Sequence, residues 1–216
     1  MPKYLLAAAA LTMMSTSAWA TNLVTKGGFE DPAISDPCCD TSPPAPLPGW
    51  TATPNVNVVN GTFSSTNGNL AAEGSQYLDL VGQGGTGSIT QTFATNIGDV
   101  YYLTFDYSHN LFNPAVTSAS AMFTLDGLSG TIFHDSGSTS NLDWTKFFGT
   151  FTATGSSATL TFTNLTGGTN EGIFLDAVSV QAVPEPATWM MMILGFGAIG
   201  GAMRTSRRKR ATVSYA

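Results

Sequence analysis

A two-residue alternation that returns along the chain constrains this protein more than any other feature. In Val100–Tyr107, VYYLTFDY, the side chains of Tyr101, Leu103, Phe105 and Tyr107 share one face of an extended chain, and Tyr102, Thr104 and Asp106 share the other. The same habit recurs in Gln76–Val81, Ser88–Phe93, Ala119–Leu125, Phe147–Ala153, Ala158–Thr163 and Ile173–Val180. Gly, Asn and Ser divide these runs, and no window of the body holds an apolar period of 3.6 residues. A strand with one apolar face must bury it against another layer. The pattern therefore predicts an all-β body, a sandwich or jelly roll.

The two ends read differently. Residues 1–20, MPKYLLAAAALTMMSTSAWA, combine Lys3, an apolar helical run and the small-x-small site Ala18-Trp19-Ala20, which predicts a signal peptide and a mature chain from Thr21. Residues 187–203 are apolar apart from Thr188, and 17 helical residues reach about 25 Å, just short of a typical hydrocarbon core. A C-terminal transmembrane helix is expected there, with Trp189 at one interface. Arg204, Arg207, Arg208, Lys209 and Arg210 follow and place the C-terminus in the cytoplasm. The organisation is thus a leader over 1–20, a β body over 21–182 with a Pro-rich loop at 31–48, and a C-terminal signal over 183–210.

Charge narrows the partners. Residues 21–186 hold all fourteen acidic residues against Lys26 and Lys146, a net charge of −12. Nucleic acid and anionic lipid suit such a surface poorly, whereas calcium and neutral polysaccharide suit it. Cys38 and Cys39 are adjacent and close no loop; a vicinal disulfide, intermolecular pairing and free thiols all stay open.

At the C-terminus, Val183-Pro184-Glu185-Pro186, the Gly-rich apolar segment and the arginine cluster resemble the PEP-CTERM sorting signal of Gram-negative bacteria. Trp189, three residues after Pro186, fits the subtype with that spacing, although Met190 stands where Ala is usual. The resemblance implies a precursor held in the inner membrane, cleavage near Pro184-Glu185-Pro186 by an exosortase-type protease, and delivery to the cell surface or extracellular matrix. Prolines 184 and 186 fix φ and lack an N–H, which keeps the segment before the helix extended. Gly197 and Gly201 form a G-x-x-x-G pair, open to close helix approach or to no role beyond small size.

The body is similar, motif by motif, to galactose-binding-like jelly rolls, which include many carbohydrate-binding modules. The carriers are Gly27-Gly28-Phe29-Glu30, Pro48-Gly49-Trp50, Glu73–Leu80, Ile89–Phe93, Tyr102–Tyr107 and Phe174–Val180. By that resemblance Glu30 and Asp176 would hold a structural calcium, with Ala177 standing where some members have a second Asp. Sugar binding would use aromatic platforms with polar neighbours. Trp50 and Trp144 are expected to pack, which leaves Tyr102, Asp106 and His109 as ligand-binding candidates.

Catalysis finds little support. There is no G-x-S-x-G, and the only histidines are His109 and His134. Gly82–Gly87 formally fits G-x-G-x-x-G, but a strand rather than a helix follows, so a hairpin loop is expected. The expectation is a non-enzymatic, exported protein associated with exopolysaccharide or biofilm matrix. The alternative is a carbohydrate-active hydrolase or its accessory module.

Overall fold

The alternating segments become strands in two layers. The computed structural model describes residues 21–34, 47–63, 68–82, 85–166, 172–183 and 186–208. In chain order these hold β1 (Thr51–Ala52), β2 (Asn57–Asn60), β3 (Gln76–Asp79), β4 (Ser88–Ala94) and β5 (Val100–His109). Then come β6 (Ala119–Leu125), β7 (Leu128–His134), β8 (Thr145–Thr152), β9 (Ser157–Asn164), β10 (Ile173–Ala182) and α1 (Pro186–Arg208). The strands form two antiparallel five-stranded sheets, a first in the order β2-β3-β10-β5-β8 and a second in the order β1-β4-β9-β6-β7. This is the expected all-β sandwich.

The core lies where the inward faces meet. Phe105 of β5 packs edge-on against Phe123 of β6 and Phe162 of β9, at ring distances of 5.6 and 4.9 Å, and stacks on Phe147 of β8 at 4.7 Å. Leu103, Leu160, Leu175 and Val180 are fully buried beside it. Trp50 is buried in the same core against Phe29, and its indole N–H donates to the Lys26 carbonyl. The start of the body straps onto its last strand. Leu23 N–H donates to Val180 O at 2.8 Å, and Val178 N–H to Gly27 O at 3.0 Å. A Cβ on Gly27 would lie 2.0 Å from Val178 O, so only glycine permits this approach. Beside the strap, β10 shifts register between Asp176 and Ser179, with Ala177 at φ 51°.

Three strands and one connection depart from the sequence reading. β2 is covered on both faces, so its Asn57-Val58-Val59-Asn60 shows no alternation. β1 is two residues long. In β7 the inward row contains Gly130, over which the Phe123 ring lies, while Phe133 faces out, and together they mask the period. The segment 82–87 is no hairpin: β3 and β4 on either side of it belong to different sheets.

Helix α1 follows β10 after a short connection. Trp189, Met191, Ile193 and Leu194 on it are more than half exposed. Among the described residues no helix is long and apolar enough to cross a membrane. The segment expected to span, 187–203, lies within α1, and Arg204 follows it on the same helix. The leader, Cys38, Cys39, most of the Pro-rich loop, Pro184 and Glu185 lie outside the described residues.

Candidate functional site

Pairing register decides which outward side chains of the first sheet become neighbours. Three rows cross β10, β5 and β8: Gln181, Tyr102 and Thr150; Ser179, Thr104 and Phe148; Asp176, Asp106 and Lys146. In the first two rows the face is open. Phe148 is 65% exposed, and its ring stacks on Tyr102 at 5.9 Å with planes 24° apart. The Tyr102 hydroxyl donates to Gln181 Oε1 on the neighbouring strand β10. Lys146 Nζ lies 2.7 Å from Asp106 Oδ2, so the charged corner of the face is neutral as a pair. Thr150 continues to a cavity of about 260 Å³ lined also by Asp126, Gly127, Leu128, Phe151 and Thr152. Asp126 there accepts from Thr154 N–H and Oγ–H at 2.8 and 2.6 Å, which holds its carboxyl below the usual range.

The other half of the same face is closed. Val59, Leu70, Tyr77, Leu142 and Phe174 form a second apolar cluster there, with Phe63, Phe112 and Trp144 packed on it. Trp144 sits edge-on to Tyr77 at 5.6 Å, and its indole N–H donates to Leu70 O at 2.7 Å. Polar groups are trapped under this cover. Burial pushes the Asp79 carboxyl up to about 6, against hydrogen bonds from Val81 N–H and the Asn110 amide. The Tyr77 hydroxyl is buried and has no hydrogen-bond partner among the described residues, and burial with the nearby Asp79 charge raises its pKa.

Glu30 and Asp176, the residues expected to hold calcium, both grip the chain between β2 and β3. Glu30 Oε1 accepts from Ser75 N–H and Gln76 N–H at 2.8 and 2.9 Å, and Oε2 from Ser75 Oγ at 2.7 Å. Gly74, at φ 63°, passes so close that a Cβ would lie 2.4 Å from Glu30 Oε1. Asp176 is fully buried; it accepts from Glu73 N–H at 2.9 Å and Ala177 N–H at 2.7 Å. Burial pushes its carboxyl up to about 7 despite those bonds. Calcium takes six to eight oxygens. Among the described residues no three His, Cys, Asp or Glu side chains gather as a group that could hold a metal ion.

Of the three ligand-binding candidates, Tyr102 and Asp106 share the outer face and His109 does not. His109 has the parity of Phe105, points between the sheets and is 1% exposed. The alternation continued two residues past Tyr107 carries this information. Phe148, Thr150, Lys146 and Gln181 join the face only through register, which no single strand reveals. On α1, Trp189 and Arg204 are exposed, Pro186 opens the helix, and Arg207 and Arg208 close it.

Residues 22–181 match the family described as Protein of unknown function (DUF642), and residues 182–209 match the PEP-CTERM protein-sorting motif. No curated protein matches the sequence. The solved structures that share the body's fold include the following two. TmCBM61, solved in complex with beta-1,4-galactotriose, is 15% identical over 76% of this chain and 100% of its own, with a TM-score of 0.50. A cyclase from Fischerella sp. TAU, in complex with 4-(1H-Indol-3-yl)butan-2-one, is 18% identical over 76% of this chain and 98% of its own, with a TM-score of 0.53.

Proposed function

We propose that this chain, which belongs to the DUF642 family and ends in a PEP-CTERM sorting motif, is an exported, non-enzymatic surface or matrix protein that binds neutral polysaccharide. The PEP-CTERM motif implies export and sorting through the membrane of a Gram-negative bacterium. An exosortase-type protease would act near Pro184-Glu185-Pro186, and the released body would reside in the exopolysaccharide matrix.

The observation that carries the binding reading is the open face of β10, β5 and β8. An exposed ring, Phe148, lies beside Tyr102 among hydroxyl and amide groups, with one internally neutralised ion pair at its edge. A pyranose ring presents an apolar face and a rim of hydroxyls, which match a flat aromatic and its polar surround. A body of net charge −12 repels acidic glycans, so the suited ligand is uncharged. The carbohydrate-binding module of the same fold, solved with a galactotriose, supports this class of ligand without naming the sugar.

The test is a glycan array of neutral and acidic oligosaccharides, read for binding and for turnover. Binding without product is expected, and Phe148→Ala should weaken it about tenfold, or 1.4 kcal/mol. Product formation would favour a hydrolase, and binding unaffected by Phe148→Ala would remove this face from consideration. For sorting, a tagged body is followed with and without Pro184-Glu185-Pro186; equal retention of both as full-length chain refutes processing there.

A further inference from the structure

The chain's two histidines meet between the sheets. His109 ends β5 of the first sheet and His134 ends β7 of the second. Their Nδ1 atoms are 2.7 Å apart, and both residues are buried. The surroundings determine which nitrogen holds each proton. His134 Nε2 lies 2.9 Å from the Asp143 carbonyl oxygen, which only accepts, so Nε2 holds a hydrogen and donates it. A neutral His134 then has a bare Nδ1, and the short contact requires His109 Nδ1–H as its donor. That leaves His109 Nε2 bare as well, buried and without a partner among the described residues.

We propose that this pair is an acid-released clasp between the sheets, whose opening frees the β7–β8 connection, residues 135–144, from the closed half of the first sheet. The connection starts beside His134 and lies against the small cluster. Leu142 is buried in that cluster, Trp144 packs on it, and the Leu142 carbonyl accepts Ser108 Oγ–H at 2.5 Å. A first proton can settle on His109 Nε2 with the Nδ1 contact intact. A second must go to His134 Nδ1, the acceptor, and two N–H groups then face each other across 2.7 Å in a buried site. The contact has to break.

The neighbours do not cancel this. Asp135, next to His134 at the end of β7, favours charge on His109; Tyr107 of β5 packs edge-on to His134 at 6.0 Å; Asp143 offers its carbonyl; and the Ser136 hydroxyl lies 3.5 Å from His134 Nε2. Burial first, then the charge of His134, holds His109 below the ordinary histidine range. The closed site therefore takes up protons less readily than the open one, and lowering the pH below about 6.5 favours opening.

Hydrogen exchange of the full chain, corrected for intrinsic rate and compared at pH about 7.5 and about 5, tests the clasp. Exchange across 135–144 should rise about tenfold in acid while β4 and β9 keep their protection. In His134→Gln the amide oxygen can accept His109 Nδ1–H in either charge state, so 135–144 should stay closed at both pH values. Unchanged wild-type protection, or a loss spread evenly over both sheets, would overturn the proposal. If the variant does not fold, ring resonances of the wild type decide: a coupled two-step titration of both histidines supports the clasp, and two independent single steps refute it.

Discussion

Two halves of one sheet face have opposite fates. Around Tyr102 and Phe148 the outer side of the first sheet is open; around Tyr77 and Phe174 it is a small core under three connections. Both halves come from the same strands, β5 and β10, and both carry aromatic side chains outward. The difference lies in what covers them. The β2–β3 connection is latched by Glu30 and Asp176, and the β7–β8 connection by Ser108 and the Trp144 indole, all on one side. Aromatic side chains on a strand thus make a core or a platform according to the loops above them.

Substitutions can break that contrast. Phe174→Ala in the closed half should cost about 3–5 kcal/mol, read as a lower denaturation midpoint at unchanged slope, because a fully buried ring leaves a cavity. A loss below about 1 kcal/mol would mean the cluster is loosely packed.

The buried carboxyl of the latch should show in the pH dependence. Its pKa is raised to about 7, so the folded state binds the proton more tightly than the unfolded chain. From about pH 4 to 7 this group makes stability fall as pH rises, by at most about 1.4 kcal/mol per unit, with no further loss above 7. Asp176→Asn should flatten that part of the profile; a slope identical to wild type would show that the carboxyl does not titrate there.

Tyr77→Phe removes a buried hydroxyl without a described partner, and should leave stability unchanged or raise it by about 1 kcal/mol. A clear destabilisation would reveal a partner for that hydroxyl. The smallest effect on folding belongs to the open half. Phe148→Ala should alter stability by less than about 0.5 kcal/mol while weakening glycan binding. If it unfolds the protein instead, the platform is structural.

Much of this was legible in one dimension. Seven alternating runs became β3, β4, β5, β6, β8, β9 and β10, and in β4, β6 and β9 the burial itself alternates residue by residue. β2 is not legible, since Val58 and Val59 stand side by side between two asparagines, and β7 is hidden by Gly130 and Phe133. The alternation places Tyr102 and Asp106 on the outer face, and carried two residues past Tyr107 it puts His109 on the inward row. The stacking of Phe148 on Tyr102 and the Lys146–Asp106 pair depend on the β5–β8 register, which neither strand specifies alone.

The sequence by itself determined the class of the body, its acidity and the sorting signal at its end, because periodicity, charge and a contiguous motif are local properties of the chain. Only the tertiary structure decided which half of the sheet stays open and which residues meet there, and that His109 and His134 clasp the two sheets. Those outcomes depend on register, on loop closure and on contacts between residues 25 to 103 positions apart, which no local pattern encodes.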